Sequence, residues 1–371
     1  MPIRVLHVIG AMNRGGAETL VMNLYRNINR DRIQFDFLVN DAGDCDYDEE
    51  IRRMGGHMYQ IPRYDIANYV TYRHACKEFF AQHHYPIVHG HIGLPAPIYL
   101  RAARKSGAFC IAHSHAQNFP LSPAELAFRI STYPTRYCAD YFLACSEQAG
   151  IDRYGRAVME SNRSHILKNG IDLTKAQFND VERAAIRNEL SIPENAPVFG
   201  HVGRLTHIKN HSFLLGVFSE IKRKLPEAHL LLAGRGEDEG DLRSKVSELN
   251  LERSVHFLGV RSDIPQILSA IDVFVFPSFK EGLPVAVVEA QASGARCLLS
   301  TGVPELARID TGTQFLHLDV GEKEWAHAAL EMYSLPQSDR SASIDRARLA
   351  GFDISESAHW LSDLYLSINC N

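Results

Sequence analysis

Seven cysteines in 371 residues, at 45, 76, 110, 138, 145, 297 and 370, form an odd set with no C-x-x-C pair. That excludes a disulfide-framework protein and predicts reduced thiols, mostly buried. No apolar run approaches the roughly 20 residues that cross a bilayer. The opening MPIRVLHVIG has one early Arg and a short apolar run that enters a glycine-rich turn, so it reads as a first strand and not as a signal peptide. A cytosolic chain is therefore expected, in which the triplets Asn162-Arg163-Ser164 and Asn210-His211-Ser212 carry no glycosylation meaning. Internal repeats, low-complexity tracts and long charge blocks are also missing. With 39 Lys+Arg against 44 Asp+Glu, the net charge of −5 gives no global support for a nucleic-acid partner. What is present is ordinary for a soluble globular enzyme: 45% hydrophobic and 22% charged residues, at a length that favours two domains.

Short runs rich in Val, Ile and Phe alternate with helical-period segments, the pattern of βα units around parallel sheets. Residues Ile3 to Ile9 read as a buried strand, and Ala17, Leu20, Val21, Leu24 and Ile28 then share one helix face. Further strands are predicted near 34–39, 86–91, 108–113 and 141–145. A second series is predicted from 164–168, with strands near 197–203, 228–233, 254–258, 272–276, 295–299 and 314–318. The two series predict two doubly wound domains joined near Lys168-Asn169-Gly170-Ile171-Asp172, with a ligand held in the cleft between them. Ser355 to Ile368 carries apolar residues at helical spacing and reads as a terminal amphipathic helix that must dock.

Four segments carry chemistry. The turn Gly10 to Glu18, with Gly15 and Gly16, follows a strand and opens a helix, so its amides can meet an anion; a plain tight turn explains it equally well. It has neither a Gly-Lys-Ser/Thr ending nor G-x-G-x-x-G spacing, which counts against ATP and NAD. The turn Gly234-Arg235-Gly236 to Gly240 also misses the dinucleotide spacing and carries three acidic residues where a pyrophosphate would approach. In Gly203-Arg204-Leu-Thr-His-Ile-Lys209-Asn210, a bidentate fork and a point charge sit five residues apart, suited to adjacent phosphates or to a solvated basic turn. In Glu281-Gly282-Leu283-Pro284-Val285-Ala-Val-Val-Glu289, two carboxylates flank the start of a helix. The N–H groups of 282–285 lie between them, able to hold phosphate while the carboxylates accept from sugar hydroxyls. Two H-x-H pairs, His89/His91 and His113/His115, place each pair on one strand face. Either could ligate a metal, but spacing alone supplies no third ligand.

The Glu-x7-Glu element within FKEGLPVAVVEAQASG, the GRL…KN segment 203–210 and the GGAE turn 15–18 together resemble a retaining glycosyltransferase of the GT-B family four. VLHVIGAMNRGGAETLVMNLYRNI, IAHSHA at 111–116 and FLGVRSDIP at 257–265 resemble its bacterial exopolysaccharide or capsule branch. The match covers nearly the whole chain. The resemblance implies an α/β GT-B fold of two Rossmann-like domains facing each other across a cleft: 1–167 for the acceptor, 168–352 for the nucleotide sugar, and 353–371 as a helix crossing back to the first domain.

The same resemblance implies that Arg204 and Lys209 neutralise the donor diphosphate and that Glu289 holds the ribose. Glu281 would bind the transferred sugar, Gly16 would approach phosphate or sugar, and Val260 and Arg261 would border the base. His115, or alternatively His113, would be the active-site histidine. No metal and no cofactor are expected, because cations and a helix terminus replace the ion, and the nucleotide sugar, UDP-linked by expectation, is a substrate. Arg235 stands where the family often has Asp, and Ala116 where the branch often has Asn. Acceptor choice is expected in the loops 41–74 and 116–136. A saccharide or polyprenyl-linked acceptor would bring the chain to the inner membrane face, where Arg101 to Lys105 could add basic contacts. A nucleotide-sugar 2-epimerase and a silent nucleotide-sugar-binding subunit are the competing readings.

Overall fold

In the computed structural model, residues 2–41, 43–118, 121–336 and 340–369 are described. The first sheet comprises β1 (Ile3–Val8), β2 (Ile33–Val39), β3 (Met58–Gln60), β4 (Ile87–Gly90), β5 (Phe109–Ser114), β6 (Tyr141–Ala144) and β7 (Ser164–Ile166). The second comprises β8 (Val198–Val202), β9 (His229–Ala233), β10 (Val255–Gly259), β11 (Val273–Phe276), β12 (Arg296–Ser300) and β13 (Gln314–Leu316). All the pairings between these strands are parallel, in the orders 3-2-1-4-5-6-7 and 10-9-8-11-12-13. Helices cover both faces of each sheet, which is why the strands read as unbroken apolar runs: Val273 to Phe276 are wholly buried.

The chain divides into Met1–Gly170 with Ile354–Asn371, and Ile171–Asp353. The sequence reading set these divisions at 167/168 and 352/353. Ile171 bridges Asp353 in parallel and donates to the Phe352 carbonyl at 2.8 Å, so the entry and exit of the second unit lie side by side. One expectation is corrected. The run at 164–168 does not open the second series; β7 pairs with β6, Phe142 opposite Ser164, because hydrophobic pattern marks a strand without naming its neighbour. The short edge strand β3 was not predicted.

The last helix, Ile354–Asn369, belongs to the first unit. Ile354, Ala358, Leu361 and Tyr365 are buried there in one cluster with Val5, Leu20, Leu24 and Phe35. The six described cysteines are free thiols, five of them buried; Cys370 lies outside the described residues. Among the described residues no helix is long and apolar enough to cross a membrane.

Candidate functional site

In the second unit β8 lies beside β11, so the chain doubles back there, and loops leaving the carboxyl ends of those strands frame a crevice typical of ligand sites in open parallel sheets. The β8 loop is held at several points. Leu205 is fully buried. Asn210 takes the left-handed conformation (φ 56°, ψ 42°) and donates from Nδ2 to the Pro277 carbonyl at 3.2 Å. The Phe279 amide donates to the Ile208 carbonyl at 2.9 Å, which ties the β8 loop to the β11 loop. These ties bring Lys209 and Glu281 together. Lys209 Nζ donates to Glu281 Oε1 at 2.6 Å, with both side chains largely buried, and Nζ also lies 4.9 Å from the Phe276 ring centroid. Arg204 is exposed and has no side-chain partner among the described residues.

The helix Val285–Ala292 starts one residue later than its proline suggests. Pro284 is the extended cap (φ −73°, ψ 108°), and a proline has no N–H to offer. The expected cradle of four amides at 282–285 is therefore corrected to Gly282, Leu283 and Val285, none of which has an acceptor among the described residues. Leu283 sends its side chain into the core. The Glu289 carboxylate, in the second turn of the helix, has no hydrogen-bond or ion-pair partner among the described residues. It is half-buried, and the surrounding protein pushes its carboxyl up to about 7.

The glycine turn at 234–240 is explained by packing. Gly234 has φ +139°, and a Cβ there would lie 2.0 Å from the Gly203 carbonyl oxygen. At Gly234 and Gly236 the turn presses against the β8 loop and so shapes the crevice. Val260 is 57% exposed. Arg261 is committed elsewhere: it donates to Asp263 at 2.7 and 2.6 Å and to Glu189 at 2.7 and 3.1 Å, so its guanidinium charge is already neutralised within the protein.

In the first unit Gly16 is the first residue of the helix Gly16–Asn27, and a Cβ added to it would meet nothing within 4 Å. Beside this turn stands a histidine cluster that the sequence reading saw only in part. Because β1, β4 and β5 are neighbours, with His7 in register with His89, five rings assemble. His7 Nδ1 meets His91 Nε2 at 2.9 Å, and His91 Nδ1 meets His115 Nε2 at 2.8 Å. His89 Nε2 meets His113 Nδ1 at 3.2 Å, and its Nδ1 meets the Tyr365 hydroxyl at 2.6 Å.

His7 is the residue that sequence reasoning missed. Its signal was its place three residues before Gly10 on the central strand, where β4 also carries histidine. Spacing alone supplied no third nitrogen; the strand register does, since one nitrogen from each of His7, His89 and His91, and from each of His91, His113 and His115, lies within 4.8 Å of the others. Burial lowers His7 to about 3 and His115 to about 4, and holds the other three well below the usual imidazole value. Burial thus favours the neutral form of all five rings. His91, His113 and His115 line a cavity of about 190 Å³ with Phe128, Arg153 and Tyr154.

The signature of the glycosyl transferases group 1 matches residues 182–346, and that of glycosyltransferase family 4 matches residues 14–175. The putative glycosyltransferase EpsF of Bacillus subtilis is 35% identical over 98% of this chain and 96% of its own length. The chain belongs to glycosyltransferase family 4. The capsular polysaccharide biosynthesis glycosyltransferase CapH of Staphylococcus aureus is 23% identical, across 98% of this chain and 99% of its own. Family 4 is the family that the motifs led us to expect. The fold is GT-B: Anabaena HepE, crystallised with UDP and glucose, superposes with a TM-score of 0.80 at 19% identity, covering 98% of this chain and all of that one. WaaG, a glycosyltransferase involved in lipopolysaccharide biosynthesis, gives a TM-score of 0.74 at 15% identity over 97% of this chain and 99% of its own.

Proposed function

We propose that this family 4 enzyme is a retaining transferase that moves a sugar from a UDP-sugar to a saccharide or polyprenyl-linked saccharide, using no metal at the diphosphate and no cofactor. The second unit, 168–352 in the sequence reading, is the donor domain, and the first is the acceptor domain. The observation that carries this reading is the Lys209–Glu281 pair at the carboxyl ends of β8 and β11, beside a helix start whose Gly282, Leu283 and Val285 amides have no acceptors among the described residues.

Arg204 and Lys209 face the diphosphate, with the amides of Gly282, Leu283 and Val285 at the helix start. Glu289 accepts from the ribose hydroxyls. Glu281, one oxygen engaged by Lys209, uses the other to orient the transferred sugar. Gly16 and His115 lie on the acceptor domain. Val260 borders the base through exposed apolar surface, with the paired Arg261 beside it.

Transfer proceeds on one face of the sugar. The acceptor oxygen bonds to the anomeric carbon, the bond from that carbon to the diphosphate oxygen breaks, and the acceptor proton passes to the departing diphosphate. The cations and amides stabilise the leaving charge. Two comparisons support the donor and acceptor classes. HepE was crystallised with UDP-glucose, and an Escherichia coli relative, 29% identical over 58% of this chain, is a UDP-Gal:α-D-GlcNAc-diphosphoundecaprenol galactosyltransferase.

A lipid-linked acceptor would place the enzyme at the inner membrane face. Supporting that, the helix Pro123–Thr132 and the turn after it expose Leu126, Ile130, Tyr133 and Tyr137 beside Arg129 and Arg136. The test is incubation with UDP-sugars and an undecaprenyl-diphosphate saccharide in EDTA. A product with the donor's anomeric configuration is expected. Conversion of the nucleotide sugar without acceptor would instead identify an epimerase, and UDP affinity that vanished with the chelator would overturn the metal-free site.

A further inference from the structure

The five clustered histidines of the first unit are not needed at the diphosphate, and their hydrogen bonds do not close among themselves. His7, His91 and His115 form a three-ring chain whose outer nitrogens, His7 Nε2 and His115 Nδ1, are buried without partners. A second chain runs from the Tyr365 hydroxyl through His89 to His113, whose Nε2 is likewise buried and unpartnered. Each neutral imidazole carries one N–H. Three rings joined by two bonds therefore strand one proton at a buried end, an expensive arrangement in a dry site.

One assignment of tautomers aims three lone pairs at a common point, while His7 Nε2–H and His115 Nδ1–H stay buried. If His91 Nε2–H donates to His7 Nδ1, and His113 Nδ1–H donates through His89 to the Tyr365 oxygen, then His91 Nδ1 and His113 Nε2 present lone pairs. His115 Nε2, 2.8 Å from His91 Nδ1, presents a third. Lone pairs so close repel unless a cation lies between them. A nitrogen from each of these three residues lies within 4.8 Å of the others, and a tetrahedral ion with bonds of about 2.0–2.1 Å needs nitrogens about 3.3 Å apart, a separation reached by small ring rotations. Two of the three ligands already have the second ring nitrogen oriented by another group, as metal-bound imidazoles do.

We propose that His91, His113 and His115 form a three-histidine site for a divalent transition ion of the zinc class, positioned by His7, His89 and Tyr365. The fourth coordination position opens to the 190 Å³ cavity that the same three residues line, where water or a small anionic ligand completes the shell. The site lies entirely within the first unit and does not rest on the donor reading.

Tag-free full-length protein, stripped with chelator and titrated with Co²⁺ and then Zn²⁺, tests it. We expect one equivalent per chain, intense visible bands of four-coordinate Co²⁺, and loss of those bands when Zn²⁺ is added. His113→Ala and His115→Ala should each abolish the bands. His7→Leu should keep one equivalent but bind about 10- to 100-fold more weakly. Should the alanine variants fail to fold, the Co²⁺ wild type decides, through exchangeable, strongly shifted imidazole N–H resonances from the ligands. Substoichiometric binding, the pale spectrum of six-coordinate Co²⁺, absent N–H resonances, or full binding by a folded His113→Ala/His115→Ala double variant would each overturn the proposal.

Discussion

Glu289 shows how a single residue couples site and stability. Its carboxyl, raised to about 7, is largely protonated below that pH and then accepts poorly from ribose hydroxyls. UDP affinity should therefore rise between pH 6 and 8, and Glu289→Gln should flatten the profile as well as weaken binding; calorimetry across that range checks both. The same shift acts on folding with the opposite sense. The unfolded chain gives up this proton near the ordinary glutamate value and the folded chain only near 7, so stability is lost as pH rises through that window, by up to about 3 kcal/mol. Glu289→Gln should therefore raise the thermal midpoint at pH 8 and leave it nearly unchanged at pH 4.

Glu281 should behave differently. Removing it frees Lys209 for the diphosphate, so Glu281→Ala should bind UDP as well as or better than the wild type. Transfer should fall at least tenfold to a hundredfold, the cost of one charged hydrogen bond used to orient the sugar, about 1.5–3 kcal/mol. Loss of UDP affinity equal to that of Glu289→Ala would show that the two carboxylates do not divide the work. The sequence placed both residues at the start of one helix. It could not show that Lys209 pairs with Glu281 across 72 positions, because the pairing depends on the β8 and β11 loops being stitched together.

At the scale of elements, the strands were legible because buried parallel strands leave uniform apolar runs, and the helix Val285–Ala292 because Pro and Gly bracket it. What stayed hidden was adjacency. Nothing local in 164–168 says that it pairs with β6, and no spacing rule links His7 to His89, since register between separate strands sets that contact. The helix Pro123–Thr132 is a local case with a testable surface. Ser122 caps it by accepting from the Glu125 amide at 3.1 Å, and Pro123 opens its first turn. Its outer face stays apolar: Ile130 is 65% exposed and Tyr137, just beyond, 67%. If this face meets anionic lipid, Ile130→Glu should lower partitioning onto phosphatidylglycerol vesicles by about tenfold or more and leave the fold intact, since the side chain is solvated in the protein. Equal sedimentation of variant and wild type with vesicles would remove this surface from the acceptor reading.

For the molecule as a whole, the two units are built unequally from the chain. The second is one continuous segment, Ile171–Asp353, with its own cores on both sheet faces. It also holds Arg204, Lys209, Glu281 and Glu289. Expressed alone, it should fold and bind UDP with affinity within about tenfold of the full chain, because the cations, carboxylates and amides proposed for the nucleotide all lie on it. The first unit is discontinuous and needs both ends. Deleting the last helix withdraws Ile354, Leu361 and Tyr365 from its core. At about 1.5–3 kcal/mol for each large side chain, the loss reaches the scale of a whole domain's stability, about 5–15 kcal/mol. A chain ending at 353 should thus lose the first unit's cooperative unfolding transition in calorimetry while a second, UDP-sensitive transition survives. If the isolated segment folded without binding UDP, residues of the first unit would have to hold the nucleotide, and the assignment of the donor to the second unit would fall.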